Sequence, residues 1–203
     1  MPVIVIANPK GGVGKSTIAT NLAGYFAARG EKVMLGDIDA QQSSRSWLKL
    51  RPGELPAITP WDVDEDRIGK LPAEATHFVL DTPAGLKGKR LDEVLKHADK
   101  VIVPLQASIF DILATQEFLQ KLARREGKFE VGIVGMRVNV RTLSAEQLAN
   151  YVNELGLPVL GYLRDTQNYI QAAAHGATLW DIAPWRVEKD VELWQDLLAW
   201  VER

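Results

Sequence analysis

Short, continuous apolar runs alternate along this chain with stretches of helical spacing. Val3 to Ala7 is apolar throughout and predicts a buried strand; Ile18 to Arg29, rich in Ala, Leu, Tyr and Phe, predicts a helix. The same reading gives strands over Lys32–Asp37, Ile58–Trp61, His77–Asp81, Lys100–Leu105, Glu130–Val138 and Leu157–Tyr162. Between them lie helical patterns over Gln42–Leu50 (closed by Arg51-Pro52-Gly53), Leu91–His97 and Ile109–Arg125. A further helix opens on Ser144, with Gln147 three residues later. Two more follow over Gln167–His175 and Val187–Val201. Asp62 to Asp66 reads as a turn, and Ile68 to Ala75 carries no clear period. Strand–helix alternation without repeat, linker or low-complexity tract predicts an α/β fold. One doubly wound domain over 1–203 is expected, with a mostly parallel sheet covered by helices on both faces.

Composition narrows the chemistry. With 203 residues, 46% hydrophobic and 25% charged, the chain is long enough to bury a substantial core. A net charge of −2 leaves nucleic-acid binding to a local basic patch. The absence of cysteine excludes disulfides and thiolate metal sites and fits a cytoplasmic setting. No apolar run approaches the roughly 20 residues that span a bilayer, and the N-terminus has no signal-peptide pattern.

The strongest chemical signal is Asn8-Pro9-Lys10-Gly11-Gly12-Val13-Gly14-Lys15-Ser16-Thr17, set between the first strand and the first helix. Glycines let successive backbone N–H groups point into one concavity, a nest for phosphate oxygens, and the helix dipole adds positive potential there. Lys15 would reach the terminal phosphates and the Ser16 hydroxyl would ligate Mg²⁺. The sequence departs from G-x-x-x-x-G-K-[ST] by Pro9 and by a second lysine, Lys10.

Two strands end in aspartate where such a loop would lie, beyond the carboxyl ends of the sheet. One is Val33-Met34-Leu35-Gly36-Asp37-Ile38-Asp39-Ala40-Gln41-Gln42, whose aspartates either serve the site or cap the helix that follows. The other, Phe78-Val79-Leu80-Asp81-Thr82-Pro83-Ala84-Gly85, has the pattern of a Walker B carboxylate that holds Mg²⁺.

In K-G-G-x-G-K-[ST], in D-T-P-A-G and in a D-x-D-P-Q segment with Ala40 in place of the usual proline, the chain resembles the ParA/MinD family of deviant phosphate-loop ATPases. The resemblance is strongest over residues 1–45 and 76–112. It implies a P-loop NTPase fold, ATP and Mg²⁺ as ligands, and an ATP-dependent sandwich dimer in which Lys10 crosses to the partner's nucleotide. It places the nucleotide on Lys10, Gly11, Gly12, Val13, Gly14, Lys15, Ser16 and Thr17. Asp39, with Lys10 and Lys15, would serve catalysis by orienting water, and Asp37 would stand near the metal with Ser16 and Asp81. Val103 to Asp111 looks like the segment near the family's dimer face. Leu163 to Tyr169, with Arg164, looks like the loop that approaches the base, and Met136-Arg137 stand where some relatives carry Asn-Arg. The resemblance also implies nonspecific double-stranded DNA as a partner, nucleoid association and a hydrolysis-stimulating adaptor. Candidate DNA contacts are Lys87, Lys89 and Arg90 in a basic loop, then Arg141, Arg164, Arg186 and Lys189, each equally readable as ordinary surface. His77, His97 and His175 have no metal spacing. A chain beginning at the phosphate loop favours the small ParA-like and McdA-like positioners of a plasmid or chromosome locus, chemoreceptor cluster or carboxysome-like body. The rivals are a dethiobiotin-synthetase-like ligase and a MinD-like membrane-cycling ATPase. The acidic polar face of the last helix opposes the second.

Overall fold

A computed structural model describes residues 2–63, 68, 71–124, 129–138, 143–154 and 156–203. Seven parallel strands run β1 Val3–Ile6, β2 Val33–Asp37, β3 Thr59–Trp61, β4 His77–Asp81, β5 Lys100–Gln106, β6 Glu130–Met136 and β7 Val159–Leu163. Their order across the sheet is β3-β2-β4-β1-β5-β6-β7. The chain winds outward from β1 in both directions, so the turn after β1 falls at the crevice where the winding reverses.

The strands are apolar on both faces because both are covered. Val3, Val5, Phe78, Leu80, Val101 and Val103 face one core, shared with helices α3 Gly88–His97, α4 Ile109–Ala123 and α5 Leu143–Glu154. Ile4, Ile6, Val79 and Ile102 face the other, shared with α1 Lys15–Ala28, α2 Ser43–Leu48, α7 Pro184–Glu192 and α8 Gln195–Val201. This period-2 split is what a pleated strand between two helical layers requires. A helix α6 Gln167–Ala174 and a 3-10 turn Leu179–Asp181 complete the chain.

The structure corrects several expectations. The helix expected over Val187–Val201 is two helices, α7 and α8, broken at Leu193-Trp194. Trp194 is fully buried and donates its indole N–H to Tyr169 Oη at 2.8 Å, so the core takes this ring where a straight helix would continue. The basic loop after β4 is largely helix: Gly88, Lys89 and Arg90 form the first turn of α3. The expected cap Ser144 lies inside α5, which begins at Leu143. Strand β6 stops two residues early, and Arg137 turns left-handed with φ 53°. The turn expected over 62–66 and the end of the helix expected to reach 125 lie partly outside the described residues.

Candidate functional site

The loop after β1 is shaped by contacts that pin it to neighbouring strand ends. Asn8 is buried; its amide donates to the Pro104 carbonyl at 2.8 Å, and its Oδ1 accepts from the Lys10 N–H at 2.7 Å. The Gly85 N–H donates to the Pro9 carbonyl at 2.7 Å, and Gln106 donates to that of Gly12 at 3.3 Å. Gly12 and Gly14 adopt φ 73° and 94°, the left-handed region that glycine enters without a Cβ clash. A Cβ on Gly14 would also meet Met136 Cε at 2.6 Å. The first turn of α1 carries no acidic side chain, so its N-terminal N–H groups and dipole are left for an anion. Lys15 stands in that turn, only 7% exposed, with Nζ donating to the Lys10 carbonyl at 2.9 Å. Burial lowers its pKa, while Asp81 and Asp39 pull it back up.

The three carboxylates have different environments. Asp37, at the end of β2, accepts from the Asp39 N–H on Oδ1 and from the Ser44 and Arg45 N–H groups on Oδ2, at 2.9, 2.8 and 3.1 Å. It therefore caps α2, the alternative that the sequence left open. Asp39 is half-buried and, among the described residues, accepts from the Gln41 N–H at 2.9 Å. Asp81, at the end of β4, is 1% exposed; its Oδ2 accepts from Ser44 Oγ at 2.6 Å, while its Oδ1 is buried with no well-formed hydrogen bond among the described residues, although the Ser16 hydroxyl stands beside the carboxylate. Burial pushes its pKa up to about 6, opposed by the Ser16 and Ser44 hydroxyls and by Lys15, and reinforced by Asp37.

A buried, unpartnered carboxylate oxygen beside a serine hydroxyl fits Mg²⁺, which takes a few protein oxygens and completes its shell with water and phosphate. Among the described residues no cluster of three His, Cys, Asp or Glu side chains offers an all-protein metal cage. Ser16 and Asp81 could hold the ion, with Asp37 beside them.

Lys10 is engaged outside the loop, at the start of α4. Its ammonium pairs with Asp111, which is buried in the first turn of α4. Ile109, Phe110 and Leu113 around it are exposed, Phe110 by 76%.

Met136, Arg137 and Arg164 line one cavity of about 450 Å³ together with Gly14, Thr17 and Tyr169, beside the loop. The Arg164 guanidinium is held by the fully buried Asp190, Nε to Oδ1 at 2.5 Å. The basic candidates do not form one patch within a single chain. Lys87, Lys89 and Arg90 are exposed at the start of α3, on one face of the sheet; Arg186 and Lys189 are exposed on α7, over the other. Arg141 lies outside the described residues. Asn8 and Asp111 lie at the ends of stretches singled out in the sequence but carry no assigned role there, and Ser44 lies in no such stretch; the hint it offers is a small polar residue at the start of a helix that follows a strand end.

Residues 4–179 match the CobQ/CobB/MinD/ParA nucleotide binding domain. The chain belongs to this family. Among curated relatives, the maintenance of carboxysome distribution protein A of Gloeobacter kilaueensis is 28% identical over 188 residues, 91% of this chain and 85% of that one. Solved structures with the same fold include Cyanothece McdA in complex with ATP, with a TM-score of 0.74 at 20% identity over 97% of this chain and 96% of that one. Another is MinD from Pyrococcus horikoshii OT3 with Mg-ADP, at 0.76 and 16% over 100% and 96%. Family membership makes this a nucleotide-binding domain and agrees with the phosphate-loop reading. Among the described residues, no helix is long and apolar enough to cross a membrane.

Proposed function

We propose that this chain is an ATP-hydrolysing positioning ATPase that works as an ATP-bound homodimer on nonspecific DNA. The observation that carries the reading is the second loop lysine. Its ammonium is paired with Asp111 in the first turn of α4, the helix that also carries the exposed Ile109, Phe110 and Leu113. That placement suits a cation that serves a second subunit.

Residues Gly11 to Thr17 would cradle the phosphates through backbone N–H groups, with Lys15 supplying charge from within the same chain. Ser16 and Asp81 would hold Mg²⁺, which when bound neutralises phosphate charge. Asp37 caps α2 and adds negative potential beside Asp81. Asp39, with one carboxylate oxygen lightly engaged, would orient the attacking water. Met136, Arg137 and Arg164 line the cavity offered to the base. A symmetric dimer doubles each basic group, so the exposed cations of α3 and α7 would act together only there. Partner-stimulated hydrolysis would release the DNA and move a cargo. The similarity to carboxysome-distribution and partition proteins supports this reading.

The test is Lys10→Ala with a slowly hydrolysed ATP analogue, by light scattering and DNA mobility shift. A charge-assisted contact contributes about 1.5–3 kcal/mol, and two form per dimer. The variant should bind nucleotide, stay monomeric and lose DNA. A variant that dimerises and binds DNA like the parent refutes the sandwich mechanism; a parent that never dimerises points to the ligase reading.

A further inference from the structure

Ser44 is fully buried in the first turn of α2 and touches both strand-end carboxylates. Its hydroxyl donates to Asp81 Oδ2 at 2.6 Å, and its backbone N–H donates to Asp37 Oδ2 at 2.8 Å. One residue thus ties the end of β4 to the end of β2 and to the helix that follows β2. The consequence for Asp81 is directional. A carboxylate gripped through one oxygen, in the plane that the hydroxyl selects, has its other oxygen aimed by that grip. That other oxygen, Oδ1, is buried and makes no well-formed hydrogen bond among the described residues, with the Ser16 hydroxyl beside the carboxylate.

We propose that Ser44 is a positioning residue for the metal site: by fixing Asp81 through Oδ2, it presents Oδ1 to the divalent cation. The proposal rests on the reading of Ser16 and Asp81 as the metal ligands. The chemistry is that of an outer partner orienting an inner ligand, whose removal typically costs about 10- to 100-fold in metal affinity. Without the hydroxyl, Oδ2 loses its donor from α2, and the carboxylate is no longer held in one orientation by that helix. The backbone bond from Ser44 to Asp37 needs no side chain, so α2 keeps its cap when the hydroxyl is removed.

The experiment compares Ser44→Ala and Ser44→Cys with the parent in two measurements. Nucleotide affinity in EDTA, by calorimetry with a slowly hydrolysed ATP analogue, reads the phosphate loop without metal. Mn²⁺ titration of the nucleotide complex, followed by electron paramagnetic resonance, reads the metal site. Ser44→Ala is expected to hold nucleotide in EDTA within about twofold of the parent and to weaken Mn²⁺ at least about tenfold. Ser44→Cys, which keeps a poorer donor, should fall between. Parental Mn²⁺ affinity in Ser44→Ala overturns the proposal, as does loss of EDTA binding in both variants, which would assign Ser44 to the fold. Asp81→Asn separates this from the underlying reading. If it loses Mn²⁺ while Ser44→Ala does not, only the positioning role fails; if it keeps Mn²⁺, the metal-site assignment fails.

Discussion

Asp81→Asn should make the metal-free protein more stable while removing its use of Mg²⁺. The buried carboxylate is 1% exposed, and its pKa stands at about 6 against an ordinary value of 3.8. Raising a carboxyl's folded pKa means that the folded state binds the proton more tightly than the unfolded chain does. The ionised group therefore costs stability at neutral pH, and the cost fades as pH falls from about 6 toward 4. That difference in proton affinity corresponds to roughly 3 kcal/mol at pH 7–8, an upper figure because the asparagine amide N–H groups must themselves find acceptors in the buried site. For a domain of this size each kcal/mol moves Tm by about 2–4 °C. Asparagine nearly matches the shape and still accepts from Ser44. Thermal unfolding in EDTA at pH 8 should then show Asp81→Asn several degrees above the parent. The gap should shrink at pH 5, where the parent's Asp81 is mostly protonated. Adding Mg²⁺ and ATP should stabilise the parent far more than the variant. A variant less stable than the parent at pH 8, or a gap independent of pH, would refute the claim that desolvation dominates at this carboxylate.

Lys15→Ala removes the buried ammonium whose Nζ lies on the Lys10 carbonyl; nucleotide affinity by calorimetry should fall at least about tenfold, the value of one charge-assisted contact, and parental affinity would remove the phosphate-loop assignment. Asp39→Ala should bind ATP and dimerise normally but fail to turn over, seen as phosphate release at background rate with the protein retained on DNA; parental turnover would give Asp39 another job.

Much of the candidate site was legible because its chemistry is local in sequence. The nest, Lys15 and Ser16 lie within one turn between a strand and a helix, and short-range glycine geometry and the helix dipole decide what that turn can hold. The strand ends were legible for a related reason: in a parallel sheet, an aspartate closing an apolar run stands at the carboxyl edge, where ligands bind. What the sequence left open was settled by contacts between distant residues. Whether Asp37 or Asp81 keeps a bare oxygen depends on where α2 places the N–H groups of Ser44 and Arg45, and those donate to Asp37. The pairing of Lys10 with Asp111 joins residues about a hundred positions apart, brought together because β1 and β5 are neighbours in the sheet. The apolar stripe from Val187 to Val201 has the spacing of one helix, yet it breaks at Trp194. Periodicity records which side chains face the core, not whether the core has room for a large ring without a bend. The basic candidates, a loop at residues 87–90 and residues scattered through the C-terminal half, could have converged in space, but the sheet puts α3 and α7 on opposite faces. Sequence determined which groups are offered to phosphate in the proposed site; tertiary packing decided which of their atoms remain free.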